Sequence, residues 1–405
     1  MTDDQPPGPT GAADAVLPAE AVVDLDAVAA NTSVLRERAG GADVMAVVKA
    51  DGYGHGLVPS ALAALSGGAT WLGVAHLAEG LALRAAGVTA PVLAWLVVPG
   101  QDLTAAVAAD VDVSASAPWA VEALAAAARR TGCAARVHLK VDTGLSRGGA
   151  TADDWPDLVR AAATAQADGS LEVVGLWSHL ASADDPAQDG LTRRQVERLA
   201  EAAEVAARSG VRPPLRHLAN SAGVLAHPAT HLDLVRPGVA VYGVSPAPGR
   251  ASAAGLGLVP AMTLRARLAL VKHVGAGEGV SYGHTHTTAA PTRLALVPLG
   301  YGDGLPRHAS GGGPVQVRGR RYAVAGRVCM DQVVLDLGDD DAARAVRAGD
   351  EVEVFGTGAG GGPTAQDWAD AAGTIAYEVV TRIGARVPRR YVGALADQGV
   401  PAAAR

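Results

Sequence analysis

Apolar positions along this chain fall into two textures. From Val44 to Val235, short continuous apolar runs read as strands at 44–49, 71–75, 91–96, 111–114, 135–141, 172–177, 215–219 and 233–235. Ala-, Leu-, Glu- and Arg-rich segments lie between most of them, at 57–66, 77–86, 101–109, 118–130, 153–167 and 190–208, with the spacing of helices that bury one face. Strands apolar on both faces and separated by helices predict a parallel sheet covered on each side. Eight of them within about 200 residues match a (β/α)8 TIM-type barrel. The weakest unit is the seventh helix, 221–230, which is short and holds Pro228. A doubly wound open sheet is the alternative, although no G-x-G-x-x-G follows the first strand. Ahead of the barrel, Ala21–Leu25 reads as a strand and Asp26 as the N-cap of a helix reaching Arg38.

After Pro246-Ala247-Pro248-Gly249 the texture changes. Strand-like runs at 262–274, 292–299, 315–317, 322–329, 333–337 and 351–355 are punctuated by Gly, Pro and Asp, with helical pattern only near 340–347 and 365–384. The fold class is therefore α/β: an N-terminal barrel over 19–249 and a second, mostly β domain over 258–393. Residues 1–18 and 394–405 lack periodicity and are expected to be disordered tails, and the glycine-rich 356–362 a mobile loop.

Composition narrows the function. Apolar residues make up 49% and charged residues 19%, with 34 Lys plus Arg against 41 Asp plus Glu, a net charge of −7. No basic cluster argues for nucleic acid, and no apolar run approaches the ~18 residues that span a bilayer. Cys133 and Cys329 do not make a disulfide framework, so a reducing cytoplasm is the expected location. One Phe beside heavy Ala, Gly, Val and Arg usage points to genomic bias. Against that background Lys, His, Tyr and Trp stand out.

Several of these fall where a barrel of this type does chemistry, at the C-terminal ends of its strands. Lys49 closes the first strand in Val47-Val48-Lys49-Ala50-Asp51-Gly52-Tyr53-Gly54-His55-Gly56. Desolvation there lowers a lysine pKa and frees a neutral amine for Schiff-base chemistry, though a lysine snorkelling to solvent fits that stretch equally well. Lys140 lies within the fifth strand, ahead of Asp142-Thr143-Gly144-Leu145-Ser146-Arg147; a cation in mid-strand must be paired, neutral or modified. His179 ends the sixth strand, Asn220-Ser221 the seventh, and Arg236-Pro237-Gly238-Val239 the eighth. Ser221 with the N–H groups of Gly238 and Val239 suits an anion, and Arg147 can fork onto a carboxylate. Each alone reads as an ordinary structural group; their convergence on one rim does not.

The string at 47–56 resembles the pyridoxal 5'-phosphate (PLP) signature of the alanine racemases. Further matches follow in order: His138-Leu139-Lys140-Val141-Asp142-Thr143-Gly144, Ala219-Asn220-Ser221, Arg236-Pro237-Gly238, Val280-Ser281-Tyr282-Gly283, Gly300-Tyr301-Gly302-Asp303-Gly304, Gly326-Arg327-Val328-Cys329-Met330-Asp331-Gln332 and Ile375-Ala376-Tyr377-Glu378. By this resemblance the chain is a PLP-dependent enzyme of fold type III that interconverts L- and D-alanine with two bases and supplies D-alanine for peptidoglycan. Lys49 carries the cofactor and acts as one base; Tyr53, Ser221, Gly238, Val239 and Tyr377 cradle its phosphate; Asn220 and His179 adjoin it. Arg236 faces the pyridine nitrogen. Tyr282 from the second subunit of a head-to-tail homodimer is the other base, supported by a chain through His179 to Arg236. Arg147 and the Met330 N–H hold the substrate carboxylate, with Lys140 (carbamylated in some members) and Asp331 in support. Asp184, Tyr301, Arg307, Arg327 and Asp331 resemble an entry corridor, and no metal is expected. Two departures from the family pattern stand out: Ser146 where many relatives have glycine, and Asp51-Gly52 where Asn-Ala is commoner. They leave open a racemase of another or broader amino-acid range.

Overall fold

The computed structural model describes residues 16–397. They form two compact units, each assembled from separate stretches: a barrel unit built on Val23–Met262 and Ala376–Thr381, and a β-rich unit built on Thr263–Ile375 and Arg382–Arg390 with the segment before Val23. Most of the two expected tails lies outside the described residues. Within them, the Pro18 carbonyl accepts the Arg267 N–H, and Ala394–Asp397 is a short helix rather than a frayed end.

Strand β1 (Ala19–Asp24) runs into a helix over Leu25–Arg38. The cap of that helix is Asp24, not Asp26: Asp24 Oδ1 accepts the Ala27 N–H at 3.1 Å because the strand carries through to Asp24. Asp26 instead holds the amides of Ala394 (2.7 Å) and Leu395 (3.0 Å) and so anchors the C-terminal helix.

Eight parallel strands then close the barrel: β2 (Asp43–Val47), β3 (Trp71–His76), β4 (Val92–Leu96), β5 (Asp112–Ala115), β6 (Ala135–Lys140), β7 (Leu171–Trp177), β8 (Leu215–His217) and β9 (Leu234–Val235). Closure comes from β9 pairing back onto β2, with Leu234 opposite Asp43. Helices over Leu57–Ser66, Leu77–Ala85, Thr104–Ala108, Pro118–Thr131, Trp155–Ala167, Asp189–Arg208 and Ser221–Ala226 connect them. Met45, Trp71, Leu93, Val174 and Leu234 form one buried cluster. Residues from five strands around a closed barrel meet only through its interior, so this cluster is the packed floor beneath the site.

The β-rich unit holds β10 (Met262–Arg267), β11 (Leu270–Val274), β12 (Gly279–Val280), β13 (His286–Thr287), β14 (Thr292–Val297), β15 (Pro314–Val317), β16 (Arg320–Ala323), β17 (Val333–Asp336), β18 (Glu351–Phe355) and β19 (Arg389–Val392). A six-stranded sheet runs β16-β15-β18-β10-β1-β19, and a three-stranded antiparallel sheet β11-β14-β17. The apolar run 262–274 thus breaks into two strands of different sheets. The helical pattern at 365–384 also splits: Gly373 at φ 67° ends helix Ala365–Ala372, and the next helix, Ala376–Thr381, belongs to the barrel unit. Residues 356–362, expected to be mobile, make a turn closed by the Gly356 N–H on the Pro363 carbonyl at 2.8 Å.

Candidate active site

The turns and loops that leave the barrel strands build the site. Lys49 does not end β2; it stands two residues beyond it, at the head of a left-handed turn. Ala50, Asp51 and Gly52 have φ of 54°, 54° and 61°, and Tyr53 comes next at 52°. L-residues pay about 1–2 kcal/mol each for this hand, so Ala50, Asp51 and Tyr53 store strain that surrounding bonds must offset. Asp51 Oδ1 accepts the Leu57 N–H at 2.7 Å, and a Cβ on Gly52 would stand 2.7 Å from Ser60 Oγ, so the small residue is required here. The turn buries Tyr53, whose ring packs 5.1 Å from Tyr242 and 6.5 Å from Tyr377. Burial raises the Tyr53 phenol well above its ordinary pKa and moves Tyr377 up to about 12, so both stay protonated donors.

The Tyr53 hydroxyl lies against Gly238, where any Cβ would come within 2.3 Å of it. Ser221 Oγ reaches the same place and accepts the Gly238 N–H (2.8 Å) and the Ala240 N–H (3.4 Å). Val239 continues that turn, fully buried. Asn220 serves the fold, because its Oδ1 accepts the Gly223 N–H at 3.0 Å and caps the helix that begins at Ser221.

Arg236 comes directly after β9 and is buried. Its Nη1 donates to His217 Nδ1 at 2.9 Å, and its Nη2 to the carbonyls of Ser178 (2.6 Å) and Leu218 (3.1 Å), with His179 Nδ1 at 3.4 Å. The guanidinium plane lies over Trp177, 4.7 Å from the ring centroid. Burial lowers Arg236 to about 9, which leaves it charged at neutral pH.

Lys140 is the last residue of β6 rather than a mid-strand residue, so its stem clears the strand. Its Nζ sits 4.3 Å above the same Trp177 ring. Burial first, then Arg236 and Arg147, bring it down to about 8. Lys49 is lowered too, by burial and by Arg147, with Glu79 opposing. His179, two residues past β7, is held well below its usual pKa by burial and by Arg236, Arg147, Lys140 and Lys49. Arg147 is exposed on a loop that Asp142 shapes, its Oδ1 accepting the amides of Gly144 (2.9 Å), Leu145 (3.1 Å) and Ser146 (3.1 Å). Ser146 takes φ 54°, a conformation a glycine adopts without strain. Lys49, Lys140, Arg147 and Arg236 therefore repel one another on one rim, and a ligand carrying more than one negative charge relieves that repulsion.

Sequence reasoning missed the buried polar layer below. Asp112, His138 and His217 come from β5, β6 and β8, each at most 1% exposed. His138 Nε2 lies 3.1 Å from Asp112 Oδ2, and His138 Nδ1 lies 2.9 Å from His217 Nε2. Arg136 Nε donates to Asp112 Oδ1 at 2.8 Å. The ends set every proton: Arg236 only donates, so His217 accepts at Nδ1 and donates from Nε2; His138 then accepts at Nδ1 and donates to the carboxylate. The usable signal was the alternation His138, Lys140 along one strand in a chain with only three lysines.

Tyr282, Met330 and Asp331 belong to the β-rich unit. Tyr282 is 73% exposed, on a turn set by Ser281 at φ 63°, whose Oγ donates to the Arg327 carbonyl at 2.9 Å. Met330 is also exposed, and Asp331 pairs with Arg386 at 2.8 Å. Arg307 and Arg327 line a cavity of about 400 Å3 with Thr285, His308 and Ser310.

Comparison with known proteins agrees with this layout. Residues 23–246 match the family model "Alanine racemase, N-terminal domain" and residues 261–391 "Alanine racemase, C-terminal domain". The chain is 59% identical over 372 residues to an alanine racemase of Frankia casuarinae, covering 92% of this chain and 96% of that protein. It is 60% identical over 376 residues to one of Beutenbergia cavernae, covering 93% and 98%. Among solved structures, alanine racemase from the D-cycloserine-producing Streptomyces lavendulae superposes with TM-score 0.92 at 52% identity, over 95% of this chain and 99% of that one. With both models matched in order and such relatives aligned over nearly their whole length, this chain belongs to the alanine racemase family.

Proposed function

We propose that this chain binds PLP at Lys49 and interconverts L- and D-alanine, working as a homodimer in the cytoplasm. The observation that carries the reading is the convergence, within the barrel unit, of a depressed lysine amine, a Tyr53–Ser221–Gly238 cradle and a buried donor-only Arg236 amid excess positive charge. Tyr53, Ser221, Gly238, Val239 and Tyr377 would hold a phosphate, and Arg236 a pyridine nitrogen. PLP supplies an aldehyde that condenses with amines and a conjugated ring that withdraws electron density from the substrate α-carbon.

The chain's own residues account for the rest. Burial and Arg147 favour the neutral amine of Lys49, the form that would take the α-proton from one face and return it there. Arg236 would offer the pyridine nitrogen a hydrogen bond, not a proton, which would limit the electron density drawn from the substrate and so restrain side reactions. His179 accepts from Arg236 at Nδ1, leaving Nε2–H to donate. That donor is suited to stabilise a phenolate on Tyr282 of the partner subunit, the second base. The exposure of Tyr282 and Met330 supports a role at a site completed by another chain. Arg147 with the partner's Met330 N–H would orient the substrate carboxylate. Lys140, near 8, has the neutral amine that adds to carbon dioxide with loss of a proton, and the resulting carbamate would steady Arg147.

The deciding experiment assays purified chain and PLP against a panel of L- and D-amino acids by chiral chromatography. Racemisation of alanine above all others is expected. Inactivity toward alanine, or release of carbon dioxide, would overturn the reading.

A further inference from the structure

The left-handed turn after Lys49 has an unassigned support. Glu79, on helix Leu77–Ala85, is half-buried and uses both oxygens as acceptors: Oε1 takes the Ala50 N–H at 2.6 Å, and Oε2 takes the N–H groups of Ala75 (2.9 Å) and His76 (3.0 Å). On the other side of Lys49, the Val48 N–H donates to the Gly73 carbonyl at 2.9 Å. The lysine's backbone is thus clamped at both flanks by the neighbouring strand–helix unit, once by a strand carbonyl and once by a side-chain carboxylate. We propose that Glu79 is a positioning residue for Lys49: its carboxylate holds Ala50 in the left-handed conformation from which the lysine reaches the cofactor. This rests on the reading of Lys49 as the cofactor-bearing lysine.

The physical case is that the turn's own backbone bonds, such as the Gly52 N–H on the Val48 carbonyl at 2.9 Å, must offset the strain of three non-glycine residues at positive φ. Ala50 and Asp51 lack glycine's freedom at positive φ, and the relaxed right-handed alternative would swing the Lys49 side chain to another direction. The Ala50 amide donates to a charged oxygen at 2.6 Å, a short charge-assisted bond that ties the strained residue itself to the neighbouring helix. Neutral glutamine has one acceptor oxygen for both sides, and the rotamer that keeps it on the two amides of Ala75 and His76 turns an NH2 group onto the Ala50 N–H. Glu79 also places a negative charge that favours the ammonium form of Lys49, opposing Arg147.

The test compares wild type, Glu79→Gln, Ala50→Gly and the double variant as apo chains recombined with PLP, following the cofactor absorbance band and, separately, thermal stability. Glu79→Gln should slow recombination roughly ten- to a hundredfold, the scale on which misplacement of a reacting group is felt. Ala50→Gly should restore the rate in the Glu79→Gln background, since glycine takes the turn without a brace. It should leave the stability loss at helix Leu77–Ala85 uncorrected. Wild-type recombination in Glu79→Gln, or a slow rate that Ala50→Gly leaves unrescued, overturns the proposal and makes Glu79 a helix cap only. If Glu79→Gln does not fold, single-amide hydrogen exchange on the unaltered apo chain decides: a protected Ala50 amide supports the brace, and free exchange refutes it. A Lys49→Ala chain that still forms the cofactor band would sink the parent reading instead, whatever Glu79 does.

Discussion

Nη1 of Arg236 donates to Nδ1 of His217 across 2.9 Å, both groups being buried. Because a guanidinium has no acceptor, this one bond fixes the tautomer of His217, then of His138, and ends on Asp112. Arg236 is held as a donor by a relay that crosses the barrel interior.

Replacing His217 by phenylalanine keeps a ring on Trp177, which the imidazole stacks at 5.5 Å, but removes both nitrogens. Arg236 and His138 each lose a partner, and stability should fall by about 1–3 kcal/mol on the scale of an unsatisfied buried polar group. Denaturant unfolding measures the loss, and dialysis should strip PLP from the variant faster than from wild type. Unchanged stability and retention would show that the relay is dispensable.

Acid should weaken the fold through the same histidines. His217 and His179 are held neutral, with folded pKa values well below the unfolded value of about 6.5. The unfolded state therefore binds more protons below that pH, so their contribution is complete above it and declines as pH falls through it. Unfolding midpoints taken between about pH 5 and 8 should drop toward the acid end. The slope should be shallower in His217→Phe.

Lys49→Ala should abolish racemisation and the lysine-dependent absorbance of added PLP. A variant that keeps that spectrum would remove the ground for the proposed function.

Tyr282→Phe needs a careful readout. L- and D-alanine are equal in free energy, so kcat/KM must fall equally in both directions for any variant. The asymmetry appears in exchange: with one base left, solvent deuterium should enter the α-position of one enantiomer much faster than configuration inverts. Equal exchange into both enantiomers would contradict bases on opposite faces.

Lys140 is brought to about 8 from an ordinary 10.5, so its ammonium form destabilises the fold below that value and ceases to do so as pH rises through the unfolded pKa. In buffer freed of carbon dioxide, where the amine carries no carbamate, Lys140→Met should raise the melting temperature at neutral pH by removing that cation. The same change should lower activity by leaving Arg147 without its carbamate neighbour. A fall in stability would mean that the contact with Trp177 outweighs the repulsion.

Much of this is legible in the chain. The eight strand positions and their alternation with helices come from apolar periodicity, which the barrel needs on both faces of every strand. Departures cluster where one residue decides an end. Asp24 and Asp26 are both competent caps, and only the length of β1 selects Asp24. Lys49 and Lys140 sit a residue or two from their expected places on the strands, because an apolar run does not reveal where pairing stops. Asp112, His138 and His217 escape a reading by pattern, since three polar residues on three strands share no local signature.

The order of residues alone determined the barrel-plus-β plan and which rare side chains stand at strand ends, because both come from local periodicity and spacing. Tertiary structure decided what those side chains are. Closure of the sheet stacked Arg236 on Trp177 beside Lys140, removed water from them and aligned four groups into a one-way hydrogen-bond relay. Proton affinity depends on burial and neighbouring charge, and both exist only once distant strands are brought together.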